Sequence, residues 1–389
     1  MTHPAARLQK LPPYPFALIN QRIRALKAQG IDIINLDVGS PDLPPAPFVV
    51  EALSRSAEKA GHHGYAGYKG TPEFRRAVAG YYQTRFGIEV DPETQVLPLM
   101  GSKEGIVNLA LAYVDKGDVA LVPEIGYPSY AMGTLIAGGE VAWIPVPAEN
   151  GFLPALDEIP ADTLKKAKLL WVNYPSNPTG VTVDQSFYER VVNFCAEHDI
   201  LLASDNPYVD VTYDGYVAGS ALGVPNALNH AVEFISFSKT YNMAGWRLGA
   251  AVGHAEAIQH LLTVKSNIDS GHFQAVYDAG IAALEQTTQA WIDERNQVYQ
   301  DRRDLILEAL PHIGLTAEKP KGSLYVWAKV DSGNGADYVE NMLVNAHVSM
   351  APGSMYGPGG EHYVRMSLSV PNDRLAVALE RMKAAYARK

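Results

Sequence analysis

Between residues 119 and 252 short β-branched runs alternate with stretches of helical period. VALVP (119–123), VAWIPV (141–146), KLLWVN (168–173), ILLAS (200–204), VEFISF (232–237) and RLGAAV (247–252) predict strands. Several lack polar alternation, as strands covered on both faces of a parallel sheet should. Helical patterns lie between some of them, such as DQSFYERVVNFCAEH (184–198), with Asp184 placed to cap its N-terminus. This alternation predicts a doubly wound α/β domain over residues 45–285. An amphipathic pattern rich in Arg and Glu then predicts one long helix over about 286–311. SLYVWAKV, a helical stretch near 336–346, VSMAPG, YVRMSLSV and a final helix make 286–389 a second, smaller α+β domain. Residues 1–44 are expected to pack on that domain or on a partner subunit. Glycine at 61, 64, 67 and 70, with no proline-rich context, predicts a flexible loop rather than collagen.

Composition narrows the function. Apolar residues make up 47% and charged residues 19%, an ordinary globular balance. The 32 basic and 42 acidic residues give −10, with no Lys/Arg cluster. That argues against binding nucleic acid or an anionic membrane surface. The longest apolar stretch, around Ile106–Val114, is too short to span a bilayer, and MTHPAARLQKLPPYPF lacks the apolar core of a signal peptide. A cytoplasmic protein is expected. Cys195 is the single cysteine, so an internal disulfide and a thiolate zinc cluster are excluded; between Phe194 and Ala196 it reads as a small buried hydrophobe. The eleven histidines, His62 and His63 among them, show no metal-ligand spacing, and no metal is expected. The His62–His63 pair is placed in the glycine-rich loop beside Tyr65.

Candidate chemistry gathers where α/β sheets bind ligands, beyond the carboxyl ends of the strands. After KLLWV comes Asn173-Tyr174-Pro175-Ser176-Asn177-Pro178-Thr179-Gly180; after ILLAS comes Asp205-Asn206-Pro207-Tyr208. After VEFI comes Ser236-Phe237-Ser238-Lys239-Thr240, followed by Gly245-Trp246-Arg247. Singly each is ordinary: NPTG is a turn, a lysine after a strand is solvated, an aspartate there caps a helix. Their order and spacing carry the information.

SxSKTxxMxGWRxG (236–249), NPTG (177–180), DNPY (205–208), a GSK helix start (101–103), GSPD (39–42) and YVRMSLS (363–369) together resemble the class I/II aminotransferases of pyridoxal phosphate (PLP) fold type I, nearly end to end. The resemblance implies that Lys239 is the amine joined to the cofactor's aldehyde. Cationic neighbours and desolvation must then favour its neutral form. It further implies Asp205 on the pyridine nitrogen, Asn177 and Tyr208 on the ring's phenolic oxygen, and Tyr127 stacked on the ring. For the phosphate it implies the helix start at Ser102 and Lys103, with Ser236, Ser238 and Arg247. Tyr65 matches a tyrosine reaching that phosphate from the other subunit of a homodimer. Arg365 matches the arginine that grips the substrate α-carboxylate with two hydrogen bonds, and Gly39 the glycine whose backbone meets the same group.

Within the superfamily, MGSKEGI (100–106), NYPSNPTG (173–180), TYDGY (212–216), SNIDSGHFQA (266–275) and SLYVWAKV (323–330) are most similar to LL-diaminopimelate aminotransferases and their relatives. That similarity adds Tyr14, Lys103 and Asn267 to the substrate or cofactor pocket, and makes Lys103 a cation for a distal carboxylate. Tyr127 and Asn177 serve substrate as well as cofactor. Ser40 follows Gly39 where the group often has an acidic residue, which leaves the amino donor open among diaminopimelate, its succinylated form, alanine, aspartate and aromatic amino acids. The substrates implied are an L-amino acid and a 2-oxo acid such as 2-oxoglutarate. Two rivals are a β-elimination lyase of the same fold and a non-enzymatic PLP-sensing regulator; the second would carry a basic DNA-binding segment, and none precedes this fold.

Overall fold

The structure, a computed structural model, describes residues 3, 5–9, 11–12 and 15–388. Its strands are β1 (Ile34–Asn35), β2 (Val96–Leu99), β3 (Val119–Pro123), β4 (Glu140–Ile144), β5 (Ala167–Val172), β6 (Leu201–Asp205), β7 (Ala231–Ser236), β8 (Gly249–Gly253), β9 (Leu315–Thr316), β10 (Tyr325–Val330), β11 (Val348–Ser349), β12 (Ala351–Pro352) and β13 (Tyr363–Ser367). Seven form one sheet in the order β2-β8-β7-β6-β5-β3-β4, in which β7, β6, β5, β3 and β4 run parallel and β8 alone is reversed.

The missing polar alternation has a direct cause: successive residues of these strands enter two different cores. Leu170, Leu202 and Ile235 face one, with Phe74 and Tyr82 from the helix Pro72–Phe86 and Val191 and Cys195 from the helix Gln185–Glu197. Leu169, Trp171, Ala203 and Phe234 face the other, under Ile106 and Leu109 from the helix Ser102–Tyr113. Asp184 does cap its helix, Oδ1 accepting from the Phe187 N–H at 3.2 Å. Because β8 runs antiparallel to both of its neighbours, β2 and β7, the ends of β2, β3, β5, β6 and β7 and the start of β8 all reach one rim.

A second sheet, β12-β13-β10-β9, is antiparallel and has its own core, which includes Tyr325, Val326 and Val364. Residue Ile34 of β1 pairs in parallel with Val348 of β11, fixing the segment before residue 44 to this part of the chain. The helix Gln289–Ala309 joins the regions through buried arginines: Arg302 forms a two-pronged pair with Asp42 at 2.8 and 3.0 Å, and Arg303 a similar pair with Asp214 at 2.6 and 3.1 Å. Among the described residues no helix is long and apolar enough to cross a membrane.

Three expectations change. The pattern expected as one helix over 286–311 holds the last residue of the helix Gln274–Gln286 and the whole of the helix Gln289–Ala309. Thr288 breaks it, its Oγ1 capping the second helix by accepting from Trp291 N at 3.3 Å. Strand β2 has no counterpart in the sequence reading, because Pro98 argues against a strand; β2 lies at the sheet edge, where a missing N–H is tolerated. The glycine-rich stretch opens in an ordered 3₁₀ turn, Ala60–His63, in which His62 bonds Ser56 at 2.8 Å and His63 stacks on Phe273.

Candidate active site

Where the rim meets the second sheet lies a cavity of about 400 Å³, and Lys239 is in its wall. The placement is local in origin. Strand β7 ends at Ser236, whose Oγ accepts from Ser238 N at 3.3 Å and starts the single helical turn Phe237–Thr240. At the other end of that turn the buried Arg295 donates to the carbonyls of Lys239 and Thr240. Lys239 Nζ donates to the Gly39 carbonyl. Burial lowers the Lys239 amine from its ordinary value; Tyr325 opposes that, while the cations Arg365 and Arg247 reinforce it.

Asp205 ends β6 and is 3% exposed. Its Oδ2 accepts from Tyr130 Oη at 2.7 Å, and among the described residues Oδ1 has no hydrogen-bond partner. Burial raises its carboxyl to about 7, with Tyr130 opposing and the neighbouring Glu233 adding to the rise. Tyr130 is itself held by stacking on Trp171, ring centroids 4.8 Å apart. The loop after β5 is tied to the same place: Asn173 Nδ2 donates to the Asp205 carbonyl at 2.6 Å and its Oδ1 accepts from Asn177 N at 2.7 Å. Asn177 Oδ1 in turn accepts from Arg365 Nη1 at 2.8 Å, and Arg365 Nη2 donates to the Asp37 carbonyl at 2.6 Å. Tyr208 lies beside them, its hydroxyl 2.9 Å from that of Tyr325.

One end of the cavity suits an anion. The helix Ser102–Tyr113 starts there, after Gly101 at φ +81°, and the first amides of a helix have no partner within it. A side chain at Gly101 would be strained at that φ, and its Cβ would lie 2.3 Å from Arg247 Nη2, so glycine lets the guanidinium close on the helix start. Ser102, Ser236, Ser238 and Arg247 line this end.

The sequence from 31 to 382 matches the family Aminotransferase class I and II. The chain belongs to that family. It is 46% identical over 380 residues to the LL-diaminopimelate aminotransferase of Moorella thermoacetica, covering 97% of each chain, and 46% identical over 383 residues to LL-diaminopimelate aminotransferase 2 of Trichormus variabilis, covering 98% of each. Among solved structures it resembles BacF of Bacillus subtilis (TM-score 0.95, 34% identity, 99% of both chains) and a probable N-succinyldiaminopimelate aminotransferase of Thermus thermophilus (TM-score 0.90, 34% identity, 95% of this chain and 99% of that one). A Thermus thermophilus aspartate aminotransferase mutant superimposes with TM-score 0.92 at 30% identity, over 99% and 100% of the two chains. This aminotransferase has the PLP-dependent fold type I, and its cofactor is pyridoxal 5′-phosphate.

The residues fit that cofactor. An orphaned oxygen on a buried carboxylate requires a donor or cation, which a protonated pyridine nitrogen is. A helix start backed by Arg247 and two serines suits a phosphate dianion. Of the positions singled out in the sequence, Gly39, Ser102, Lys103, Tyr127, Asn177, Asp205, Tyr208, Ser236, Ser238, Lys239, Arg247 and Arg365 all line the one cavity. Tyr65 does not: it is 90% exposed. Asn267 is also exposed, its Nδ2 donating to Thr263 O at 2.8 Å in its own helical turn. Tyr14 lies outside the described residues. Sequence reasoning missed Tyr130, Asn173 and Tyr325. Asn173 sits within NYPSNPTG, a motif already singled out, and Tyr130 lies three residues after Tyr127, whereas Tyr325 gave no signal beyond its place in SLYVWAKV.

Proposed function

We propose that this aminotransferase works as a homodimer and takes LL-diaminopimelate as amino donor, with 2-oxoglutarate accepting the amino group. The observation that carries the substrate reading is near-complete alignment, at 43–46% identity, with relatives bearing that name. When bound, pyridoxal 5′-phosphate supplies an aldehyde that captures amines and a ring that draws electrons from the substrate's α-carbon.

The chain's own residues do the rest. Lys239 would hold the cofactor through its Nζ, and the same amine would take the proton from the substrate α-carbon. Burial and the nearby guanidinium groups favour the neutral amine this requires. Asp205 holds a proton on the ring nitrogen, with Tyr130 fixing the carboxylate. Asn177 and Tyr208 face the ring's phenolic oxygen, and Tyr127 covers the ring. Ser102, Ser236, Ser238 and Arg247 bind the phosphate. Arg365 receives the α-carboxylate in a charge-assisted pair, and Lys103 offers a cation to the distal carboxylate.

Dimer formation is supported by the surface around Tyr65. Gly271 lies close against the Gly67 backbone, so two loops adjoin and expose Tyr65 (90%), Tyr68 (52%), Ile268 (56%) and Phe273 (40%). A patch of this kind marks an association surface. In a two-fold dimer Tyr65 reaches the partner's phosphate site. Mixing Tyr65→Ala with Lys239→Ala protein should then restore about a quarter of wild-type activity, because half the dimers are hybrids with one intact site each. No restoration, with hybrids confirmed by native mass spectrometry, would place Tyr65 elsewhere.

The substrate is tested by half-reactions. Cofactor-loaded enzyme is mixed with LL-diaminopimelate, its N-succinyl form, alanine, aspartate or phenylalanine, and loss of the visible band is followed by stopped flow. LL-diaminopimelate should react at least about tenfold more efficiently than the others, a margin of roughly 1.4 kcal/mol in transition-state binding. A faster reaction with any other donor sinks the substrate assignment and leaves the transaminase intact.

A further inference from the structure

Tyr325 opens β10, is 2% exposed, and touches groups that carry the reaction although no step above uses it. Its ring lies 3.9 Å from the Arg365 guanidinium carbon, and the ring of Tyr356 lies 4.9 Å from the same carbon. Two aromatic faces therefore bear on the guanidinium, while Asn177 Oδ1 and the Asp37 carbonyl fix its rotation. At the other end of the side chain, the hydroxyl is 2.9 Å from that of Tyr208. It also lies against Gly39: a Cβ there would be 1.9 Å from Tyr325 Oη, so glycine at 39 makes room for this phenol.

We propose that Tyr325 serves two positioning tasks: its ring fixes the plane in which Arg365 receives the substrate carboxylate, and its hydroxyl, 2.9 Å from that of Tyr208, holds the Tyr208 phenol in place against the cofactor. The inference rests on the roles given to Arg365 and Tyr208 under Proposed function.

In a contact between two hydroxyls one donates and the other accepts, and either arrangement ties the two phenols together. The groups facing the pair are Lys239 and Arg247 after β7, Arg365 on β13, Asp205 at the end of β6, Tyr356 after β12, and Asp37 after β1. Burial works against ionisation of Tyr325, but the charges of Arg365 and Lys239, together with hydrogen bonds to Tyr208 and Arg365, bring the phenol below its ordinary range. Tyr208 moves the opposite way, raised by burial and by Tyr325. The bond holds the Tyr208 oxygen in the cavity wall, and successive hydrogen bonds in such a chain polarise one another.

Tyr325→Phe keeps the ring and removes the oxygen, a change the core should accommodate. Three quantities are measured on cofactor-loaded protein: kcat, the pH midpoint of the visible absorbance, and the spectroscopic Kd for 2-aminoisobutyrate, which has an α-carboxylate but no α-hydrogen. For Tyr325→Phe we expect Kd within about twofold of wild type and kcat lower by roughly tenfold, the loss of one hydrogen bond. The midpoint should move upward by about half a pH unit, because the ring oxygen loses part of its donor. In Tyr325→Leu, Kd should weaken by about tenfold more as the guanidinium loses one covering face. Wild-type kcat and midpoint in the Phe variant would overturn the hydroxyl's role. Weakened binding in Tyr325→Phe with no further loss in Tyr325→Leu would overturn the ring's. Wild-type enzyme that forms no visible band with pyridoxal phosphate would refute the underlying site assignment instead, a result read before any variant is made.

Discussion

Lys239→Ala should lose transamination by at least about 10⁴-fold, the upper end of what one positioned proton-transfer group contributes. No neighbour can substitute. Lys103 lies in the same cavity but belongs to the helix at its anion end, and Lys265 is committed to Asp269 at 2.8 Å. Arg365 stays protonated and cannot act as a base. The variant should also lack the visible absorbance of covalently held cofactor, while still binding pyridoxal phosphate weakly through Arg247 and the helix start. Fold should survive, since replacing a partly buried lysine by alanine removes a desolvated amine and leaves the Arg295 contacts to the backbone in place. Stopped-flow half-reactions and circular dichroism on one preparation separate loss of chemistry from loss of structure. Near-wild-type turnover by this variant would remove the account's core.

Asp205→Asn should show opposite effects on rate and on stability. An amide cannot hold the ring nitrogen in its protonated form, so kcat should fall by about 10²–10³-fold, the range for losing one preorganised electrostatic contact in a buried site. Protein stripped of cofactor should report the cost of keeping that carboxylate. Its folded value of about 7 lies above the ordinary 3.8, mainly through burial. A group raised in this way binds more protons folded than unfolded, so its stabilising contribution is complete below pH 4 and is lost as pH rises to about 7. Integrated over that window the loss is roughly 4 kcal/mol. Denaturant titrations between pH 4 and 8 should show the decline in stripped wild type, and a smaller one in the Asn variant. Equal pH dependence in both proteins would mean that Asp205 stays ionised without help.

The central sheet was readable because its strands are buried on both faces, and a run such as KLLWV carries that fact in its composition. An edge strand containing Pro98 carries no such mark, and the break at Thr288 is a cap hidden within one continuous amphipathic pattern. The cavity was legible to the extent that its residues sit in short motifs at strand ends: Asp205 ends β6, and Lys239 and Asn177 lie in the segments that follow β7 and β5. What could not be read is convergence. Tyr130 meets Asp205 from 75 residues away, and Tyr325 meets Tyr208 from 117. A tyrosine in an apolar run looks the same whether its hydroxyl ends on a carboxylate or in a core. Asp42 was quoted within a motif, but its partner Arg302 lies 260 residues on, in a helix that reads as ordinary surface.

The most direct measurement is chemical. Wild-type protein loaded with pyridoxal phosphate is reduced with borohydride, digested, and its peptides sequenced by mass spectrometry. One cofactor-derived mass should appear per chain, on the peptide containing Ser236-Phe237-Ser238-Lys239, and the same treatment of Lys239→Ala should give none. Label on any other lysine, or a loaded protein that reduction leaves unlabelled, would contradict the account.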